Sequence, residues 1–386
     1  GQYNYDYSHF FEKLFSIKNI ENNLVYLCLE IYKGAVVGDF PDLKLIKNLN
    51  NFILLEELVL NGFQFKNDET FELNLSNLKI LQLICCKNIS LDKDSYLKLR
   101  ELNLTDSLIS NKDSSPYFFP NLEKLKFNSA DSNCYSFAYY RIDKYMIDFK
   151  KLKYLNYFEG YFKDFLELEN ISSLKTLFLL MIQSSKEEEI NTINKILSCN
   201  NLKTVSFQLA NTEFEDIQNI DNENNTVTNA TIQFYLNKND CIIDNLLDKF
   251  LNLETLNLIL SGRGGKRPIY IEIEHKQNSK IQGISLEMET DTIYNEYAEE
   301  MYPAKPVNFK IICPLFENLI SMVIVLRSEV INLEQAFPFY NNNCETIFKS
   351  LKCLVIENMS FPYLKVEYIY NFAKNIPLKF YLLILF

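Results

Sequence analysis

The side chains that could do chemistry are few and widely spaced in this chain. Two histidines, His9 and His275, cannot build a His-rich metal site, and a His-dependent catalytic apparatus would have to use one of them. Neither lies in a recognisable triad context, and no Gly-x-Ser-x-Gly elbow occurs. Acidic runs stand at Glu56/Glu57, Glu187–Glu189 and Glu299/Glu300. Acid–base work needs two carboxylates across one reactive centre with pKa values held apart by burial, and these runs read instead as solvated faces. Gly262 to Lys266 has the look of a phosphate loop, but that loop needs Gly at 260 and Ser or Thr at 267, where the chain has Leu260 and Arg267.

The nine cysteines are odd in number, scattered and without a C-x-x-C pair. That usage fits a reducing compartment, cytoplasmic or nuclear, with most thiols acting as small buried hydrophobes. The start at Gly1 leaves a removed leader, and with it secretion, open. Adjacent Cys85 and Cys86 are the remaining candidates for thiol chemistry, although no neighbour that would lower their pKa is evident. No catalytic residue, metal ligand set or cofactor site is expected, and a cysteine-dependent enzyme is the remote alternative.

A net charge of −11 argues against broad attraction to nucleic acid or an anionic membrane, since both require a basic face. The one basic knot, Arg263, Lys266 and Arg267, reads as an exposed turn. The longest apolar run, Phe380–Phe386, is far shorter than the roughly 20 residues of a membrane helix, so no span is expected. Seven Asn-x-Ser/Thr sequons, at Asn74, Asn88, Asn103, Asn170, Asn224, Asn229 and Asn358, are what an Asn-rich chain yields by composition. Length alone would suggest two or three domains for 386 residues.

A repeat changes that expectation. Apolar residues recur at positions 0, 3 and 5 of a block, plainest at Leu55/Leu58/Leu60, Leu78/Leu81/Leu83, Leu99/Leu102/Leu104 and Leu122/Leu125/Phe127. Further copies start at Leu174, Leu202, Leu253 and Leu351, and looser ones at Leu24, Leu152, Val227, Ile281, Leu319 and Leu378. These make 14 candidates at a mean period of about 27 residues. The alternation places 0, 3 and 5 in a core and 2, 4 and 6 outside a short strand. Each block can bury its apolar side only against its neighbours.

The pattern resembles the leucine-rich-repeat superfamily over nearly the whole chain. The nearest single block is Leu78–Ile89, with Cys86 where that family places Asn or Cys to bond the turn. Phe63, Ser107, Ala130 and Ile182 depart from it there, so the turn ladder should be irregular. The resemblance implies an α/β fold, a leucine-rich-repeat solenoid with a curved parallel sheet on its concave side and helices and irregular segments on its convex side. It also implies a protein-binding scaffold, or a substrate-recognition or inhibitor subunit of a larger complex such as a ubiquitin-ligase-like adaptor.

Helical return segments are expected where a capping box, Ser185-x-x-Glu188, precedes Ile190, Ile193, Ile196 and Leu197. The same period occurs at Ile242–Phe250 and Val366–Ala373. Residues 1–23 should form a helical cap, and 24–386 the solenoid of about 14 repeats, with insertions near 129–149, 261–280 and 287–316. Reading positions 2, 4 and 6 gives an outward cluster of Tyr154, Phe158, Phe178 and Leu180 beside Lys124 and Lys126. Aromatic anchors with a charged rim suit a protein interface, unless the 129–149 insertion folds over them. The expected partner is a protein, with no nucleic acid.

Overall fold

A computed structural model describes residues 13, 16–17, 20–30, 47–63, 70–92, 96–107, 109–110, 116–128, 147–180, 184–210, 217, 220–236, 246–263, 270–272, 280–291, 310–312, 318–326, 350–358 and 380–385. The chain divides into two compact units, Gly1–Lys175 and Thr176–Phe386. Most of the N-terminal 23 residues, most of the three insertions, and the helix expected at Val366–Ala373 lie outside the described residues. So do both histidines.

The first unit contains β1 (Tyr26–Glu30), β2 (Glu57–Asn61), β3 (Phe71–Leu73), β4 (Ile80–Ile84), β5 (Ile89–Leu91), β6 (Glu101–Thr105), β7 (Ile109–Ser110), β8 (Lys124–Asn128) and β9 (Tyr157–Tyr161), then the short helix α1 (Phe162–Glu167). The strands β1, β2, β4, β6, β8 and β9 pair in that order, all parallel. Register aligns like with like: Leu27, Leu58, Leu81, Leu102, Leu125 and Phe158 stand side by side and are all buried. A parallel pair keeps equivalent positions in step, so one 0-3-5 pattern repeated along the chain becomes continuous rows of core side chains. Entry to the strands is stitched by backbone bonds from each repeat to the one before, as when the Lys79 and Ile80 N–H groups share the Glu56 carbonyl (2.7 and 3.0 Å).

Behind this sheet the return segments of the short repeats are extended. The strands β3, β5 and β7 form a second parallel sheet. Buried Tyr96 pins it by donating to the Leu73 carbonyl (2.6 Å), and the Tyr117 hydroxyl accepts from the Leu91 N–H (3.0 Å). Between Leu55 and Leu122, where the repeats are shortest, the described return segments are these short strands. Those returns have few residues, and a strand advances about 3.3 Å per residue against 1.5 Å for a helix, so only the extended form covers the distance.

The second unit contains β10 (Thr176–Leu180), helix α2 (Lys186–Leu197), β11 (Thr204–Leu209), β12 (Asn229–Leu236), β13 (Thr255–Arg263), β14 (Tyr270–Glu272), β15 (Gly283–Asp291), β16 (Lys310–Ile312), β17 (Ser321–Leu326), β18 (Cys353–Asn358) and β19 (Phe380–Leu385). Its main sheet runs β10, β11, β12, β13, β15, β17, β18, β19, again all parallel, while β14 and β16 pair separately. Here a longer return holds the helix foreseen from the capping box. The Ser185 hydroxyl accepts from the Glu188 N–H (3.2 Å), and the Glu188 carboxylate accepts from the Ser185 N–H (2.8 Å).

The buried face of α2 is Glu189, Thr192, Ile193, Ile196 and Leu197, so the acidic run at 187–189 is not wholly a solvated face. Glu189 is fully buried, its Oε1 accepting from the Ser184 hydroxyl (2.8 Å) and the Ala210 N–H (3.2 Å). It thereby ties the turn after β11 to the helix.

Every main-sheet strand begins two residues after a repeat start, and 13 of the 14 starts are those read from sequence. The exception is Leu152. The strand β9 follows Leu155, three residues later. The five first-unit repeats after the first also bury an apolar residue three before their start, namely Phe52, Leu75, Tyr96, Phe119 and Leu152. An apolar side chain at −3, 0 and 3 makes the phase ambiguous wherever position 5 is not apolar, and in this repeat position 5 is Gly160.

Candidate functional site

The phase shift redistributes the aromatic cluster expected from sequence. Phe158 is core, with 0% exposure. Its ring packs against Phe127 (centroids 6.5 Å apart) and Phe165 (6.4 Å). Gly160 makes this possible: a Cβ there would lie 2.7 Å from Phe158 Cζ and 3.2 Å from Phe127 Cδ2. One ring thus fills the space that a Leu or Phe at position 5 fills in the preceding repeats.

The outward residues of β9 are Tyr157, Glu159 and Tyr161, which the sequence reading missed. The Tyr157 hydroxyl donates to Glu159 Oε2 (2.6 Å), and Lys126 Nζ on β8 lies 3.2 Å from the same oxygen. Burial, with the carboxylate beside it, pushes the Tyr157 phenol above its ordinary pKa. Lys124 pairs with Glu101 on β6 at 2.7 Å. The two candidate lysines are therefore partners in a cross-strand network of charges. Phe178 and Leu180 lie on β10 in the second unit, both half-buried at outward positions.

Tyr154 belongs to neither face. It sits in the turn leading into β9 and is 58% exposed. Its position, one before the repeat start, aligns it with Asn77, Lys98 and Asn121 of the preceding repeats. Side chains two residues later form a second row, Glu56, Lys79, Arg100, Glu123 and Asn156. Between the rows runs an open groove of about 570 Å³ lined by Lys79, Lys98, Arg100, Asn121, Glu123, Tyr154 and Asn156. Lys79 pairs with Glu56 at 2.7 Å, and Arg100 Nη1 approaches Glu123 at the longer distance of 3.6 Å. Lys98 Nζ donates to Asn77 Oδ1 (2.5 Å) and Asn121 Nδ2 to the Leu97 carbonyl (2.6 Å).

Where β4 and β6 end, Cys85 and Asp106 adopt left-handed backbone (φ 53° and 49°) at the position that Gly62 (φ 82°) fills after β2. The Cys85 thiol points at Asp106 Oδ2 (3.9 Å). Cys86 is buried and donates to the Leu60 and Ile84 carbonyls (3.2 and 3.3 Å), and burial pushes its pKa up to about 11. A thiol held that way is poorly suited to act as a nucleophile. Ser107 also bonds the turn: its hydroxyl accepts from the Cys86 N–H (2.8 Å) and donates to the Thr105 carbonyl (2.9 Å). Cys199 is buried likewise, whereas Cys28 is exposed on β1. Among the described residues no group of three His, Cys, Asp or Glu side chains could hold a metal ion, and no helix is long and apolar enough to cross a membrane.

One buried acid in the first unit stands apart. Asp164, in the first turn of α1, accepts from the Tyr161 N–H, while its Oδ2 is buried without a hydrogen-bond partner. Burial, then Glu167, raises its pKa to about 7, against the smaller opposing pull of Lys163 and of that N–H. Neighbouring Tyr161 is pushed to about 12 by burial and by the charges of Asp164 and Asp106.

The outward side of the second unit is of another kind. Thr204, Ser206 and Gln208 on β11 lie beside Asn229, Thr231 and Gln233 on β12. A ladder of side-chain bonds crosses it, from Gln208 to Gln233 (2.6 Å) and from Gln233 to Ser261 (3.0 Å). Asn224, a sequon position, is 2% exposed; its Nδ2 donates to the Cys199 carbonyl (2.9 Å) and its Oδ1 accepts from Thr226 and Val227 N–H groups. A carboxamide engaged at both ends and buried is no glycan acceptor. No protein-family model matches this chain, and no curated protein does either.

Proposed function

We propose that this chain is a leucine-rich-repeat solenoid and a non-catalytic scaffold that recognises a protein partner through the outward face of its parallel strands. The observation that supports the reading is the register. Positions 2, 4 and 6 of successive repeats stand in aligned rows, and side chains there are mostly half-buried or exposed while positions 3 and 5 are buried. Aligned rows about 4.8 Å apart on a rigid sheet hold many side chains in fixed relation without loop ordering, which lowers the entropy cost of binding.

The reading is tested by capture from lysate with mass spectrometry, comparing wild type with Gln82→Arg on β4 and Thr231→Arg on β12. A long charged side chain in either row should weaken capture of the specific partner by about tenfold or more. Lys163→Ala, an exposed substitution on α1, should not. Capture that survives both arginines at wild-type strength would refute binding through this face.

A further inference from the structure

The geometry points to the groove at the entry of β4 to β9 as a docking site for an acidic peptide segment of another protein. This deepens the scaffold reading by naming the chemistry of one partner segment, but it uses the turns before the strands and not their outward face. Three cations, Lys79, Lys98 and Arg100, meet in one groove against two carboxylates, Glu123 in the lining and Glu56 on Lys79, so the groove keeps a positive excess in a chain whose net charge is −11. Against that acidic background the groove is a local reversal of sign, and an acidic segment is the ligand whose charge complements it while the rest of the molecule repels misplaced binding.

Arg100 is the strongest element. Its side chain is 63% exposed, and its Nη1 stands 3.6 Å from Glu123 Oε1, longer than a good charged hydrogen bond. A planar fork of five donors is suited to take an incoming carboxylate in bidentate fashion. Tyr154 adds an exposed ring at the far end, of the kind that anchors a peptide side chain, and Asn121 and Asn156 add carboxamides that suit peptide N–H and C=O groups. A nucleic acid fits less well. Glu123 interrupts the row of cations, and phosphate recognition draws on a longer basic track than one groove supplies.

The test is fluorescence anisotropy with a labelled twelve-residue peptide, Asp-Phe-Asp-Glu repeated, beside a control with Asn and Gln in place of the acids. The acidic peptide should bind saturably and more weakly as salt rises, and the neutral one should not bind. Arg100→Gln should weaken binding by about tenfold and Tyr154→Ser by several-fold, while Lys203→Glu, at the equivalent position of a second-unit repeat, should leave it unchanged. Both groove positions are exposed, so these variants should melt with wild type. Absence of saturable binding, equal loss on Lys203→Glu, or tighter binding of a single-stranded oligonucleotide of equal charge would overturn the assignment. Gln82→Arg separates the two readings. Peptide binding lost in Arg100→Gln but kept in Gln82→Arg supports the groove, whereas the reverse pattern overturns it and leaves the outward face as the binding surface.

Discussion

Each unit buries a carboxylate on the helix behind its sheet, and the two are treated in opposite ways. Glu189 on α2 has 0% exposure, and one of its oxygens accepts from the Ser184 hydroxyl and the Ala210 N–H. Asp164 on α1, at 3% exposure, has one oxygen bonded to the Tyr161 N–H and the other bonded to nothing. Burial is nearly equal in the two, so burial alone does not decide how such a group behaves. What differs is the donors within reach: Glu189 meets a hydroxyl as well as a backbone N–H, and Asp164 one backbone N–H. Helix α2 has three turns and a following strand end within reach, whereas α1 has a turn and a half and offers a single N–H. The longer return of the second unit therefore lets a buried carboxyl group serve as a structural tie, and the shorter one leaves Asp164 titrating near neutrality.

Removing the tie should have the largest effect. Glu189→Ala strips the acceptor from two donors, one a backbone N–H, and should cost about 4 kcal/mol, read as a shift in the urea midpoint. A loss below 1 kcal/mol would show that water takes over the carboxylate's role and would break the contrast.

The titration of Asp164 comes next. Its folded pKa of about 7 lies above its ordinary 3.8, so the folded state holds the proton more tightly. The associated stability is complete below about pH 4 and is lost as pH rises through 7. Between pH 5 and pH 8 wild type should therefore lose about 3 kcal/mol more than Asp164→Asn, which keeps the acceptor for Tyr161 and cannot ionise. Parallel pH profiles of the two proteins would remove Asp164 from the comparison.

The smallest effect concerns the space beside α1. Gly160→Ala drives a methyl against the Phe158 ring and should cost about 2 kcal/mol. In Gly160→Ala combined with Phe158→Leu the first cost should shrink, because the shorter side chain leaves the methyl room. Equal costs in the two backgrounds, measured by thermal melts, would show that Phe158 does not own that cavity.

The outward faces extend the contrast. In the first unit opposite charges pair across strands, as Lys124 with Glu101 and Lys126 with Glu159. In the second, from β11 to β13, carboxamides and a hydroxyl bond one another. The half-exposed Lys124–Glu101 pair contributes little to stability, whereas Lys126 meets a Glu159 that is buried, and the second face carries neutral hydrogen-bonding groups.

Much of the strand framework was legible in the sequence because it is periodic. A 0-3-5 pattern needs only local alternation to be recognised, and 13 of 14 strand starts follow from it. The capping box at Ser185 was legible for the same reason: both of its bonds lie within four residues. The candidate site was read less well. Lys124 and Lys126 were placed on the correct face but not with their partners, since Glu101 and Glu159 come from other repeats. The groove was not foreseen, and its signal was the unexamined alignment of residues on either side of each repeat start.

What the sequence determined by itself is the spacing of apolar residues, and with it which side chains alternate between core and surface. What only the tertiary structure decided is phase and partnership. Phe158 is interior because Gly160, two residues on, vacates the room its ring takes. Glu189 is tied and Asp164 is not because of donors that arrive from segments outside the local pattern. Contacts within and between neighbouring repeats depend on volume and geometry in three dimensions, and a one-dimensional period carries neither.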